Sequence, residues 1–113
     1  MLTIYHNPRC QKSRQTLRLI EESGTMVQVV EYLKMPPSKN ELEHILEMLD
    51  MEPEQLVRKG EAIYKEKFKG RSLSADEWLE AFIKYPKLIE RPIVVSGNKA
   101  IIGRPPENVT ALI

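Results

Sequence analysis

The sequence predicts an α/β fold with a mixed sheet, in the order β-α-β, a helical insertion, then β-β-α. Three observations predict it. A β-prone run, a helical period and a second β-prone run fill the first third of the chain. Two helix-opening capping boxes, Ser38 to Glu41 and Ser74 to Glu77, mark the middle. Two β-branched runs on either side of Gly97-Asn98 close it, the pattern of a tight hairpin.

Leu2 to Tyr5 is a short strand candidate, ended by Asn7-Pro8 because proline has no N–H to donate to a ladder. From Cys10 to about Ser23 the chain has helical periodicity, with Cys10, Ser13, Leu17 and Ile20 at spacings of three and four. Gly24 is the expected C-terminal stop. Val27 to Leu33, rich in Val with a Tyr, is the second strand candidate. A strand, helix and strand this close together form a βαβ unit, for which parallel strands and a right-handed connection are expected.

Met35-Pro36-Pro37 interrupts the pattern. The helix opened by Ser38 carries Leu42, Ile45, Leu46 and Leu49 as its apolar stripe. Pro53 fits the first turn of another helix, with Leu56 and Val57. Residues 59–73 are polar and basic and read as irregular chain or a short helix. Trp78, Leu79, Phe82 and Ile83 form the apolar face of the helix opened by Ser74. Ile93 to Ser96 and Lys99 to Ile102 are the hairpin strands, and a short helix with Val109, Leu112 and Ile113 follows Arg104-Pro105-Pro106-Glu107. With the middle helices set aside, a thioredoxin-like sheet remains. The expectation is one domain over residues 1–113, with a helical insertion at about 35–88.

The 113 residues carry 17 basic and 16 acidic side chains. Such a balance argues against a general nucleic-acid or membrane-surface binder, so anion chemistry must come from locally placed arginines. No apolar stretch approaches membrane-spanning length. The single cysteine excludes an internal disulfide and a cysteine-rich zinc site, so no metal is expected. The N-terminal residues lack a basic segment followed by an apolar run, and the expected location is a reducing cytoplasm.

Cys10 stands where the first strand passes into the first helix. Free N–H groups and the helix dipole there favour negative charge, and Arg9, Lys12, Arg14 and a protonated His6 would add to the effect. Alone, a single cysteine reads as a small apolar filler; the strand–Asn-Pro-x-Cys–helix setting favours a reactive thiolate instead. Ser13, three residues on, is not a second cysteine. An outside thiol must therefore regenerate Cys10 if it turns over. Arg91 and Arg104 each precede a proline, which holds them in extended geometry at either end of the hairpin. In thioredoxin-like sheets the proline before the third strand is commonly cis and faces the thiol, which nominates Arg91-Pro92. Arg58 ends a middle helix. Arginine binds tetrahedral oxyanions bidentately and keeps its charge. The cluster Lys65, Lys67, Lys69 and Arg71 reads as a solvated face.

Tyr5-His6-Asn7-Pro8-Arg9-Cys10-x-x-Ser13-Arg14 resembles the active-site loop of the glutaredoxin-coupled arsenate reductases, the ArsC family. Leu56-Val57-Arg58-Lys59, Glu90-Arg91-Pro92-Ile93-Val94-Val95 and Arg104-Pro105-Pro106-Glu107 resemble that family's further motifs in the same order, so the resemblance spans essentially the whole chain. It implies a cytoplasmic oxidoreductase of arsenical resistance, with Cys10 as nucleophile. Arg58, Arg91 and Arg104 would hold the oxyanion, while His6 and Ser13 support the thiolate. Arsenate would be the substrate, glutathione the co-substrate and glutaredoxin the recycling partner, with no bound cofactor. Arg9, Gln11 and Lys12 stand where the family's best-known enzymes carry small or neutral residues. Two other readings share the fold: an Spx-like regulatory protein that binds RNA polymerase, which often uses a CxxC switch, and a general thiol oxidoreductase or deglutathionylase.

Overall fold

The computed structural model describes all residues 1–113. Its elements follow the predicted order: strand β1 (Leu2–His6), helix α1 (Gln11–Glu22), strand β2 (Val27–Glu31), helices α2 (Lys39–Leu49), α3 (Ala62–Lys67) and α4 (Ala75–Lys84), then strands β3 (Ile93–Ser96) and β4 (Lys99–Ile102). Three 3-10 segments, Pro53–Leu56, Pro86–Leu88 and Pro106–Ala111, each open on a proline. The chain forms two compact units, Met1–Met35 with Arg91–Ile113, and Pro36–Glu90. No helix is long and apolar enough to cross a membrane.

The first unit is built on a four-stranded sheet of order β2-β1-β3-β4. β1 pairs with β2 in parallel and with β3 antiparallel, and β3 pairs with β4 antiparallel. The mixed thioredoxin-like sheet is thus present. Side chains alternate across a strand. In β1, Leu2, Ile4 and His6 are buried, while Thr3 and Tyr5 are only partly so. Leu2 and Ile4 join Ile20 of α1, Val94 of β3 and Val109 in one apolar core. Each such side chain contributes roughly 1.5–3 kcal/mol by leaving water. That alternation also puts the polar ring of His6 on the core-facing side.

Helix α1 stops as expected: Gly24 has φ +76 and its N–H donates to Glu21 O at 3.1 Å. β2 ends at Glu31, two residues earlier than Val27 to Leu33 suggests, because Lys34 N–H and Met35 N–H both donate to the Glu31 carbonyl and turn the chain. Gly97, φ +60, turns the hairpin.

In the helical unit both capping boxes form. The Ser38 hydroxyl accepts from Glu41 N–H, and the Ser74 hydroxyl accepts from Glu77 N–H, each at 3.2 Å. The α4 face of Trp78, Leu79 and Phe82 is buried. Phe68 meets Trp78 and Tyr85 with ring centroids 5.6 and 5.8 Å apart. The predicted helix at Pro53 is a single 3-10 segment, and Val57 beyond it forms an antiparallel bridge with Ile89.

Candidate active site

Cys10 is the N-cap of α1, in extended geometry, with no side-chain cap of its own. Its N–H donates to Asn7 O at 3.0 Å, which folds the Asn-Pro-Arg turn tightly between strand and helix. Cys10 is buried, with 8% of the residue exposed. Burial by itself raises the thiol pKa. Opposing it are the backbone N–H of Ser13, the Arg91 guanidinium through both hydrogen bond and charge, and the backbone N–H of Lys12; together they pull it below the ordinary thiol range. Arg104 Nη2 lies 3.7 Å from Cys10 Sγ, and Arg104 Nε donates to the Arg91 carbonyl at 2.9 Å. Two guanidinium groups therefore meet one sulfur at the mouth of a helix N-terminus.

The peptide bond Arg91-Pro92 is cis, as the strand position suggested, and so is Arg104-Pro105, which the sequence did not single out. The cations acting on the sulfur differ from the sequence expectation. Arg14 Nη1 donates to Pro8 O at 2.9 Å, and the Arg9 side chain is exposed. Lys12 acts through its backbone N–H rather than its ammonium group. The working charges come from the far end of the chain.

His6 and Ser13 do come together. His6 Nδ1 lies 2.6 Å from Ser13 Oγ, which also accepts from Asn7 N–H at 3.0 Å. In the tautomer with Nδ1 unprotonated, the Ser13 hydroxyl donates to the ring. Burial holds the His6 pKa below its ordinary value, outweighing the opposite pull of Glu31. A protonated His6 reinforcing the thiolate is therefore corrected: the ring sits in the core-facing row of β1, where charging it costs solvation. Asn7 Oδ1 accepts from Arg9 N–H at 3.0 Å and completes the turn.

Arg58 lies in the helical unit. Its Nε is 3.9 Å from Glu61 Oε1 and its Nη1 3.8 Å from Glu90 Oε1, and its N–H donates to Leu88 O at 2.7 Å. No cluster of three or more His, Cys, Asp or Glu side chains is arranged to hold a metal.

Sequence reasoning missed one pair that shapes the site, Thr16 and Gly103. Thr16 is fully buried on α1, and its hydroxyl lies 2.8 Å from Lys12 O and 3.4 Å from Gly103 O. A Cβ on Gly103 would stand 2.5 Å from Thr16 Oγ1 and 2.8 Å from Pro92 Cγ. The helix, the residue before Arg104 and the proline after Arg91 thus meet with no room for a methyl group. The available signals were a glycine directly before an Arg-Pro pair and a threonine in the apolar row of a helix.

A model of the ArsC family matches residues 5–112. An Escherichia coli protein named uncharacterized protein YfgD is 46% identical over 112 residues, covering 97% of this chain and 94% of that one. An arsenate reductase of Neisseria meningitidis is 41% identical over 114 residues, covering 99% and 97%. A solved structure titled arsenate reductase from Vibrio cholerae superposes with a TM-score of 0.94 at 46% identity, covering 99% and 97%. With the thiol, the two arginines and the sheet arranged as described, the chain belongs to the ArsC family.

Proposed function

We propose that the protein reduces arsenate to arsenite through Cys10, using glutathione and glutaredoxin. The observation that carries this reading is the convergence of Arg91 and Arg104 on a thiol whose pKa is lowered. The relatives named arsenate reductase supply the oxyanion. In the first step Cys10 Sγ attacks arsenic. An S–As bond forms, an As–O bond breaks, and the oxygen leaves as hydroxide that takes a proton to become water. Arg91 and Arg104 balance the oxyanion's charge, and Arg58 is added as a third guanidinium on the motif resemblance alone. Neutral His6 and Ser13 keep the loop in shape around the sulfur.

In the second step the glutathione thiolate attacks Cys10 Sγ. An S–S bond forms, the S–As bond breaks, and the electron pair goes to arsenic, which passes from As(V) to As(III) and leaves as arsenite. The Cys10–glutathione disulfide remains. Glutaredoxin with a second glutathione then returns the thiol and releases oxidised glutathione. The chain has one cysteine, so both later electrons must come from outside. A lone free thiol of this kind suits a reducing cytoplasm.

The test is arsenate-dependent NADPH oxidation in the presence of glutathione, glutathione reductase and glutaredoxin. Wild type is expected to turn over and Cys10→Ser to be silent. An inactive wild type that instead removes glutathione from mixed disulfides would replace this reading with a deglutathionylase.

A further inference from the structure

Arg104 is exposed, and an exposed arginine has many rotamers open to it. Its guanidinium nevertheless stands 3.7 Å from Cys10 Sγ, across 94 residues of sequence. The restraint begins in the main chain. Pro105 and Pro106 follow Arg104 directly, and neither has an N–H to donate. The short stretch that carries Arg104 is therefore poor in backbone donors for its carbonyl groups.

The Asn108 side chain supplies donors in their place. Its amide nitrogen donates to Ile102 O and to Arg104 O, each at 3.1 Å. Both acceptors are carbonyl oxygens, so only the NH2 end of the amide can face them, and it has two hydrogens for the two bonds. Asn108 is held in turn by its own N–H, which donates to Pro105 O at 3.0 Å. Its 3-10 segment, Pro106–Ala111, is anchored by Val109, which is fully buried in the apolar core. Ile102 O also accepts from Arg104 N–H at 2.9 Å, and Ile102 is the last residue of β4, paired with Ile93 of β3. The Arg104 backbone is thus tied to the end of the sheet twice, directly through its N–H and by way of Asn108 through its C=O.

We propose that Asn108 is a positioning residue of the thiol site: its amide holds the Arg104 main chain at the end of β4 so that the guanidinium meets Cys10 Sγ and the Arg91 carbonyl. Where it concerns an oxyanion, the proposal rests on the reductase reading; where it concerns the sulfur, it stands apart from it. Asn108 acts only through Arg104. Without its two bonds the segment between Ile102 and Pro106 gains freedom, and the guanidinium spends less time at the sulfur.

The test compares Asn108→Ala and Asn108→Leu with wild type; leucine keeps the bulk of asparagine and donates nothing. Asn108 is exposed, so both variants are expected to fold, which circular dichroism checks. Ordering equivalent to one neutral hydrogen bond changes an equilibrium by about two- to tenfold. kcat/KM for arsenate is expected to fall by about that factor in both variants. The iodoacetamide profile of Cys10 is expected to move to higher pH, in the same direction as in Arg104→Ala. In an Arg104→Ala background, Asn108→Ala is expected to change neither reading further, because no guanidinium is left to place. An asparagine that served stability alone would lower the urea midpoint equally in both backgrounds and leave the profile where it was, and that result would overturn the proposal. So would an Asn108→Leu protein matching wild type in both readings. A wild type that reduces no arsenate rejects the reductase reading instead, and the alkylation profiles then decide the role of Asn108.

Discussion

Arg104 reaches the Cys10 sulfur and the backbone of Arg91 with one side chain: Nη2 stands 3.7 Å from Cys10 Sγ while Nε donates to the Arg91 carbonyl at 2.9 Å. The second bond fixes the direction of the first. Arg91 opposes the effect of burial on the same thiol through its own hydrogen bond and charge. The native thiol pKa is depressed, so the ionised form persists down to the lowered pKa and is lost as pH falls through it. Removing either guanidinium moves that loss to higher pH. Iodoacetamide alkylation rates measured against pH are expected to show Arg91→Ala and Arg104→Ala displaced toward the ordinary thiol range. Each substitution removes a charge-assisted contact worth about 1.5–3 kcal/mol. kcat/KM for arsenate is therefore expected to drop roughly tenfold to a hundredfold. Profiles that overlay wild type would remove both arginines from the site.

Gly103 is the point where a methyl group cannot fit, with Thr16 Oγ1 and Pro92 Cγ both inside 3 Å of the position a Cβ would take. Gly103→Ala is expected to cost about 1–3 kcal/mol in urea unfolding, the scale of overpacking. It is also expected to displace the Cys10 alkylation profile, because Arg104 is the next residue. Thr16→Ala in the same chain removes the threonine atoms from the clash and is expected to restore part of the stability. A Gly103→Ala protein with wild-type stability and profile would mean the contact yields freely.

Burial depresses the pKa of His6, so the unfolded chain binds a proton at higher pH than the native one. Stability attributable to this ring is complete above the ordinary histidine value of about 6.5. It declines as pH falls below that value, until the native ring also protonates. Urea midpoints taken between about pH 8 and 5 are expected to fall on the acid side, and His6→Gln to flatten that part of the curve. An unchanged slope in His6→Gln would assign the acid sensitivity elsewhere.

Arg58 separates a structural from a functional role. Its two ion pairs are long, 3.9 and 3.8 Å, and partly exposed. Contacts of this kind contribute about 0–1 kcal/mol each. Arg58→Ala is accordingly expected to lower stability by no more than about 2 kcal/mol, twice that upper figure. If Arg58 holds the oxyanion, the KM for arsenate rises in Arg58→Ala and only partly recovers in Arg58→Lys, which lacks the planar fork. An unchanged KM would leave Arg58 as a clip between Glu61 and Glu90.

Much of this protein follows from local chemistry and was legible residue by residue. The capping boxes at Ser38 and Ser74, the Gly24 stop, the Gly97 turn and the placement of Cys10 at a helix start depend on neighbours within a few positions. The strand at 27–33 was read too long because Tyr32 and Leu33 have strand-forming side chains but a turn-forming backbone, held by Glu31 O. Lys12 and Arg14 looked like the thiol's cations because they are close in sequence. Helical geometry instead leaves Arg14 bonded to Pro8 O, and Lys12 contributes only its N–H.

The sequence alone determined the order of elements, the single cysteine with no second thiol to pair with it, and the arginines before prolines at the ends of the hairpin. Only the tertiary structure decided which charges act on the sulfur, that His6 is buried and its pKa lowered, and that Gly103 and Thr16 set the spacing. The reason is range. Caps, turns and periodicity are short-range effects, whereas the field at Cys10 depends on Arg104, 94 residues away in sequence, and on Arg91 at the start of β3, the strand that pairs with β1.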